Sequence, residues 1–230
     1  MIYALADLHL DYTNEKSMEV FGQNWENYQE RIFSNWNDVV GSADTVLIPG
    51  DISWAMDLTH AYVDLKKIDE LNGQKILMKG NHDYWWTSLN KINNLGLSSM
   101  HYLQNNSFSI EGYDICGTRG WIPRDHKDFT DHDEKVFTRE LMRLENSIRK
   151  SGDNKKIVML HYPPINQDKT LNEFYDICKD NNVDYLIYGH LHGIGHSIIK
   201  EGNIGGIDIK CVAGDYINFT PVRIVWCKER

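Results

Sequence analysis

Five short motifs carry the residues best suited to chemistry: Asp7-Leu8-His9, Gly50-Asp51, Gly80-Asn81-His82-Asp83, an isolated His161, and Gly189-His190-Leu191-His192. Each directly follows a short apolar run. Taken singly they say little. An Asp-x-His behind a strand is common, and an isolated histidine is more often a satisfied core or surface residue than a ligand. The Gly-His-x-His pair says more, because alternate residues of an extended segment point to one side. Together they say a good deal. In α/β sheets, ligands bind in the crevice at the carboxyl ends of the strands. Five strand ends would deliver carboxylates, imidazoles and an amide to one place. Burying so many polar groups together is costly unless a partner satisfies them, and a metal is the partner that fits.

The donor types narrow the metal. Carboxylate, imidazole and amide oxygen are present in these motifs and thiolate is absent. That excludes structural zinc and iron–sulfur sites and favours Mn, Fe or Zn in five- or six-coordinate geometry. The seven candidates Asp7, His9, Asp51, Asn81, His161, His190 and His192 are too many for one catalytic ion with open positions. They suit two divalent ions that share a carboxylate.

The elements that must position these residues follow from the apolar pattern. Residues 2–6, 45–48, 76–78, 157–160 and 185–188 are short, β-rich runs bounded by polar or turn residues. They read as strands buried on both faces. Tyr28, Ile32, Trp36 and Val39 share one helix face. Residues 57–71 and 87–95 are further helix candidates. Phe137, Leu141, Leu144 and Ile148 repeat with the helical period, and the acidic residues of 132–134 suit that helix's start. Residues 107–110 and 114–117 flank Glu111-Gly112-Tyr113 as a hairpin. Residues 197–200 and 207–212 flank a glycine-rich turn, and 222–226 form a last strand. This order predicts an α/β fold with two sheets in a sandwich covered by helices.

Composition sets the outer limits. A chain of 230 residues with 41% hydrophobic and 25% charged residues is globular rather than disordered. Its length predicts one domain over residues 1–230. No apolar run approaches the roughly 20 residues of a membrane helix, which excludes an integral membrane protein of that kind. The net charge of -9 repels a nucleic-acid backbone. It permits a small phosphorylated substrate, because bound metal supplies positive charge locally. Cys116, Cys178, Cys211 and Cys227 form no C-x-x-C pair. They read as buried free thiols in a reducing compartment. With no signal-peptide pattern at the start, the expected location is the cytoplasm.

In this order the motifs resemble the calcineurin-like metallophosphoesterase family: D-x-H, G-D, G-N-H-D/E, a lone His and G-H-x-H, running here from Asp7 to His192. The resemblance implies a two-sheet αββα sandwich of the metallo-dependent phosphatase type. It implies that Asp7, His9 and His192 hold one ion, that Asn81, His161 and His190 hold the other, and that Asp51 bridges them. It implies a hydrolase of phosphomonoester or phosphodiester bonds, with manganese the first choice of metal. Two ions roughly 3.5–4 Å apart would share a bridging hydroxide that attacks phosphorus, and His82 would protonate the leaving alkoxide. A non-catalytic binding module on the same fold is the alternative, although such relatives have lost ligands or the catalytic histidine. A nuclease is a further alternative, disfavoured by the acidic charge.

The chain also departs from two branches of that family. Three residues after the G-D aspartate, protein serine/threonine phosphatases carry a second Asp and purple acid phosphatases a ligating Tyr. Here the position is Trp54, which does neither job. Asp83 is the nearest candidate to orient His82, or else it caps a helix starting near Tyr84. Trp54, Tyr84, Trp85, Trp86 and Trp121 either wall a substrate pocket or cover the core. Arg119 either clamps a substrate phosphate or makes a surface ion pair. Residues 11–24 read as an exposed loop at the substrate entrance, and residues 124–133 as a solvated loop.

Overall fold

Strands with no polar face become the inner members of two stacked sheets. The computed structural model describes residues 1–13, 16 and 18–224. In the first sheet β1 (Ile2–Ala4), β2 (Thr45–Pro49), β3 (Gln74–Met78) and β4 (Met100–Leu103) run parallel, and β11 (Val222–Arg223) pairs antiparallel with β1. In the second, β6 (Tyr113–Thr118), β7 (Lys155–Leu160), β8 (Tyr185–Tyr188) and β10 (Ile207–Cys211) are parallel. Short antiparallel strands, β5 (Phe108–Ile110) and β9 (Gly202–Ile204), close its two edges.

The period of two explains why these strands read as unbroken apolar runs. Ile2, Leu47 and Ile76 of the first sheet meet Ile115, Ile157, Met159 and Ile187 of the second in a core between the sheets. Their neighbours Tyr3, Val46, Ile48 and Leu77 face outward, onto α1 (Tyr28–Val39) and α2 (Leu58–Asp69). On the far side Val158, Leu160, Leu186 and Tyr188 pack against α4 (Asp131–Arg149) and α5 (Glu173–Asp180). The result is the α/β sandwich expected: helix, sheet, sheet, helix. Caps begin the helices where side chains can receive orphan amides. Asp57 accepts from Thr59 and His60, Thr130 and Asp133 form a capping box, and Asn172 accepts from Phe174.

Several elements depart from the sequence reading. The strand over 2–6 stops at Ala4, and only a single bridge, Ala6 to Ala213, continues it. Residues 197–200 are not a strand. Two of the four, Ser197 and Ile198, fall in a 3-10 turn, Gly193–Ile198. The antiparallel partner of β10 is β9, because the two-residue turn Gly205-Gly206 sets the register Ile204 to Ile207. β4 escaped the pattern because His101 interrupts a run of only four residues. The helix over 87–95 shortens to α3 (Leu89–Asn93). Of the predicted strand 222–226, residues 225 and 226 lie outside those described, as does Cys227. Of residues 11–24, read as an exposed loop, 14, 15 and 17 lie outside those described. The rest include the 3-10 turn Met18–Phe21 and enter a second, Gln23–Trp25, and Met18 is buried. Of the loop expected over 124–133, residues 124–130 are irregular, pinned where Arg124 pairs with Glu134 and Glu173, while 131–133 already form the first turn of α4. Among the described residues Cys116, Cys178 and Cys211 are buried and free, and no helix is long and apolar enough to cross a membrane.

Phe137 joins α4 to α5. It is fully buried, with the ring of Phe174 at 5.0 Å and that of Phe129 at 6.2 Å. Phe137→Ala is expected to cost about 3–5 kcal/mol in urea unfolding. A loss under about 1 kcal/mol would contradict the packing described.

Candidate metal centre

Six strand ends, three from each sheet, meet at one edge of the sandwich. β1 leads to Asp7 and His9, β2 to Asp51, and β3 to Asn81 and His82. From the second sheet β7 leads to His161, β8 to His190 and His192, and β10 to Asp215. The backbone turns sharply here. Asp7, His9, Asp51 and His190 all have positive φ, between 43° and 73°. Asp and His tolerate this region better than most residues, yet each such position costs on the order of 1–3 kcal/mol. Main-chain bonds between the loops hold them: Asp7 to the Gly50 carbonyl at 3.0 Å, His9 to that of Asp51 at 3.0 Å, and Gly189 to that of His161 at 3.2 Å. Two glycines permit the close approach. A Cβ on Gly80 would lie 2.1 Å from Asp51 Oδ1, and one on Gly189 2.6 Å from Asp7 Oδ2.

All seven predicted ligands come together. Asp7, His9 and His192 form one group able to hold an ion, and Asp7, Asp51 and His161 another, with the ligand atoms of each within 4.8 Å of one another. Asp51 Oδ2 lies 3.4 Å from His161 Nε2 and 3.7 Å from His9 Nε2, so one oxygen faces both halves of the site. Asn81 Oδ1 lies 2.6 Å from His161 Nε2 and 3.0 Å from His190 Nδ1.

The residues fit a cation. His192 Nε2 is buried, has no hydrogen-bond partner among the described residues, and faces Asp7 Oδ1 across 3.7 Å. That gap is too long for a hydrogen bond. Two ligands of one ion, each at about 2.1 Å, sit roughly 3–4 Å apart. Burial pulls His9 down to about 4 and His190 down to about 3, which leaves both imidazoles neutral, as metal ligands must be. Burial also acts against protonation of His192, but Asp7 and Asp215 outweigh it and push this residue up to about 10. Burial opposes the ionised form of Asp51, yet His161 and His9 hold its carboxyl far below the usual range. The site is thus built around anionic oxygens that need positive charge.

Asp83 does neither of the jobs predicted for it. It starts no helix and makes no bond to the His82 ring. Its carboxylate accepts the amides of Asp51, Ile52, Ser53 and Gly80 at 2.7–3.2 Å and the Trp85 indole at 3.0 Å. His82 donates its own amide to Asp51 Oδ1 at 2.8 Å, and its Nδ1 has no partner among the described residues. Its ring packs 4.4 Å from that of Trp54, which in turn stacks on His9 at 4.9 Å. His9, His82, His192, Trp54, Trp25 and Met18 line a cleft of 770 Å³. Segment 11–24 walls this cleft through Met18, Phe21 and Asn24.

The other aromatics go elsewhere. Trp85 and Trp86 belong to the outer core of the first sheet, and Tyr84 is exposed. Trp121 packs on the second sheet and donates to Asp133. Arg119 is not brought to the cleft. It lies over Trp121 at 4.4 Å and 3.7 Å from the buried Glu140, so its ion pair is internal, not a surface one. Sequence reasoning missed Asp215, which lies 2.7 Å from His192 Nδ1 and accepts the Gly193 amide at 3.1 Å. Such a carboxylate fixes the orientation of a ligating imidazole. Its signal was available: Gly214-Asp215 follows β10 much as Gly50-Asp51 follows β2. Trp25, edge-on to His192 at 5.3 Å and to His9 at 5.8 Å, was also missed.

A family profile described as calcineurin-like phosphoesterase matches residues 1–193. An uncharacterized protein of Methanocaldococcus jannaschii is 27% identical over 73% of this chain and 87% of its own length. A probable cyclic nucleotide phosphodiesterase of Coxiella burnetii is 24% identical over 83% of this chain and 75% of its own. Among solved structures, the phosphopantetheinyl hydrolase of Mycobacterium tuberculosis superposes with a TM-score of 0.54 at 12% identity, covering 92% of this chain and 88% of that one. A protein of unknown function from Aquifex aeolicus does so at 0.52 and 18% identity, covering 96% and 94%. These two likenesses show the shared fold.

Asp83→Ala would orphan four buried amides, each worth about 1–3 kcal/mol. A loss of at least about 3 kcal/mol in urea unfolding is expected. Stability within about 1 kcal/mol of the parent chain would remove Asp83 from this role.

Proposed function

The chain belongs to the calcineurin-like phosphoesterase family, and from that premise we propose that it hydrolyses small phosphate esters with two divalent metal ions. The supporting observation is the pair of ligand groups at the strand ends, with Asp51 Oδ2 facing both. In this reading Asp7, His9 and His192 hold one ion, Asn81, His161 and His190 the other, and Asp51 both. Manganese suits a set of carboxylate, imidazole and amide donors without thiolate. Bound there, the ions would offset charge on the phosphoryl oxygens and acidify a water for attack on phosphorus.

The chain's own residues do the rest. Asp215 fixes the His192 ring through Nδ1, which leaves Nε2 for the ion. His82 sits in the cleft wall outside the ligand groups, beside Trp54. It serves as the acid that gives a proton to the departing oxygen. Met18, Trp25 and Trp54 cover the leaving group and exclude water from the cleft. The name of the Coxiella relative supports a diester as the substrate bond.

Elemental analysis after dialysis against excess Mn²⁺ is expected to find two ions per chain. One ion or none would count against the dinuclear reading. Chelation should abolish hydrolysis of a nitrophenyl phosphodiester, and Mn²⁺ should restore it.

Asp51→Asn and His82→Ala should fail differently. The first removes the shared negative charge, so metal content and activity fall together. The second keeps its metal and slows turnover by roughly 10²–10⁴ on an ester with an alkoxide leaving group. On a nitrophenyl ester, whose leaving group needs no proton, the deficit should be small. Equal deficits on both esters would make His82 a positioning residue instead.

A further inference from the structure

A second cleft, of 300 Å³, opens near the same strand ends, and none of the seven candidate ligands lines it. One side is formed by Lys79 after β3, Gln104 after β4 and Arg119 after β6. The other is the face of α4 that carries Arg139, Glu140 and Arg143. Four cationic side chains therefore line a space that holds one carboxylate. In a chain of net charge -9 this is a local reversal of sign, not a reflection of composition.

The one carboxylate is already engaged. Glu140 is 1% exposed, accepts Thr118 Oγ1 at 2.5 Å and Arg143 Nη1 at 2.6 Å, and lies 3.7 Å from Arg119 Nη2. It offsets one positive charge and orients two guanidinium groups. Arg119 is held further by the face of Trp121. Lys79 and Arg139 have no hydrogen-bond or ion-pair partner among the described residues. Like charges converging on one concave surface repel, and the half-buried Lys79 ammonium, with Asp83 and Glu140 near but neither in direct contact, is poorly solvated. An anion between them resolves both costs.

We propose that this second cleft is a binding site for a phosphate-type anion, taken up by Lys79, Arg119, Arg139 and Arg143. Planar guanidinium forks and a mobile ammonium suit the oxygens of such a dianion. The volume holds inorganic phosphate or one phosphate group on a short stem. Two sources share that chemistry: a free anion, and a second phosphate on the substrate of the neighbouring site. The cleft lies close to that site along the chain. Lys79 directly precedes Gly80-Asn81, and the Arg119 carbonyl accepts the amides of His161 at 3.1 Å and Tyr162 at 2.9 Å. Anion binding here needs no metal, so it stands apart from the proposed hydrolysis.

Isothermal titration of the full chain, freed of metal by chelator, with inorganic phosphate tests the site. One phosphate per chain is expected. Arg139→Glu and Lys79→Gln should weaken it about tenfold or more. Lys66→Glu, an equal charge change on α2, and His192→Ala in the metal centre should leave it intact. Arg139 is exposed on its helix, so its variant folds even if that of Lys79 does not. Absence of saturable binding overturns the proposal, and so does binding that survives Arg139→Glu.

With the Mn²⁺-loaded chain, a substrate with one phosphate is compared with its analogue bearing a second. A rise in KM in Arg139→Glu confined to the analogue identifies the substrate's own second phosphate. Unchanged KM for both, with phosphate binding lost, identifies a free anion. A metal-loaded chain that hydrolyses neither would refute the proposed activity and leave the titration standing.

Discussion

The main-chain amides of Asp51, Ile52, Ser53 and Gly80 all point at the carboxylate of Asp83, which takes a fifth bond from the Trp85 indole. Three of those amides belong to the loop after β2 and one to the loop after β3. The loops approach so closely that only glycine fits at position 80. Their donors would otherwise be buried without acceptors, at a cost of about 1–3 kcal/mol each. Burial and the nearby charge of Asp51 push the Asp83 carboxyl up to about 6, against the pull of its amide donors. The staple thus rests on hydrogen bonds rather than on solvation. Through it Asp51 and Asn81 keep their places, and with them the contact between the two halves of the site.

The two-sheet architecture supplies the rest. Each sheet is packed on both faces, so most of its strands are apolar through their centres, and the polar residues of the site emerge where the strands end. Three ends from each sheet then face one another across the inter-sheet core. Neither sheet alone could assemble the set, since Asp7, His9, Asp51 and Asn81 come from one and His161, His190 and His192 from the other. The same edge carries two clefts of opposite character. One has histidines on its floor and an apolar wall from Met18, Trp25 and Trp54. The other is polar and cationic. Charges of opposite sign are thereby kept apart within a chain of net charge -9.

The local sequence determined a good deal. Short apolar runs without a polar face specify strands buried on both sides, and the helical period of Tyr28, Ile32 and Trp36 specifies a helix packed on them, although Val39, read on the same face, is exposed at the helix end. Each of the seven candidate ligands stands within four positions of the end of such a run, so the strand announces the neighbourhood in which it must emerge. Tertiary structure decided what those residues meet. Nothing in the spacing shows that Asp83 binds amides 30–32 positions away in the chain, or that Asp215 orients His192 across 23. Nor does it show that Arg119 leaves the histidine cleft for Glu140 and Trp121. β9 was misplaced because a two-residue glycine turn, not apolar pattern, set its register. Periodicity is a property of a few consecutive residues and survives in the sequence. Contacts between loops depend on how the two sheets stack and on which backbone groups are left unpaired when they do, and those are settled only when the whole chain has packed.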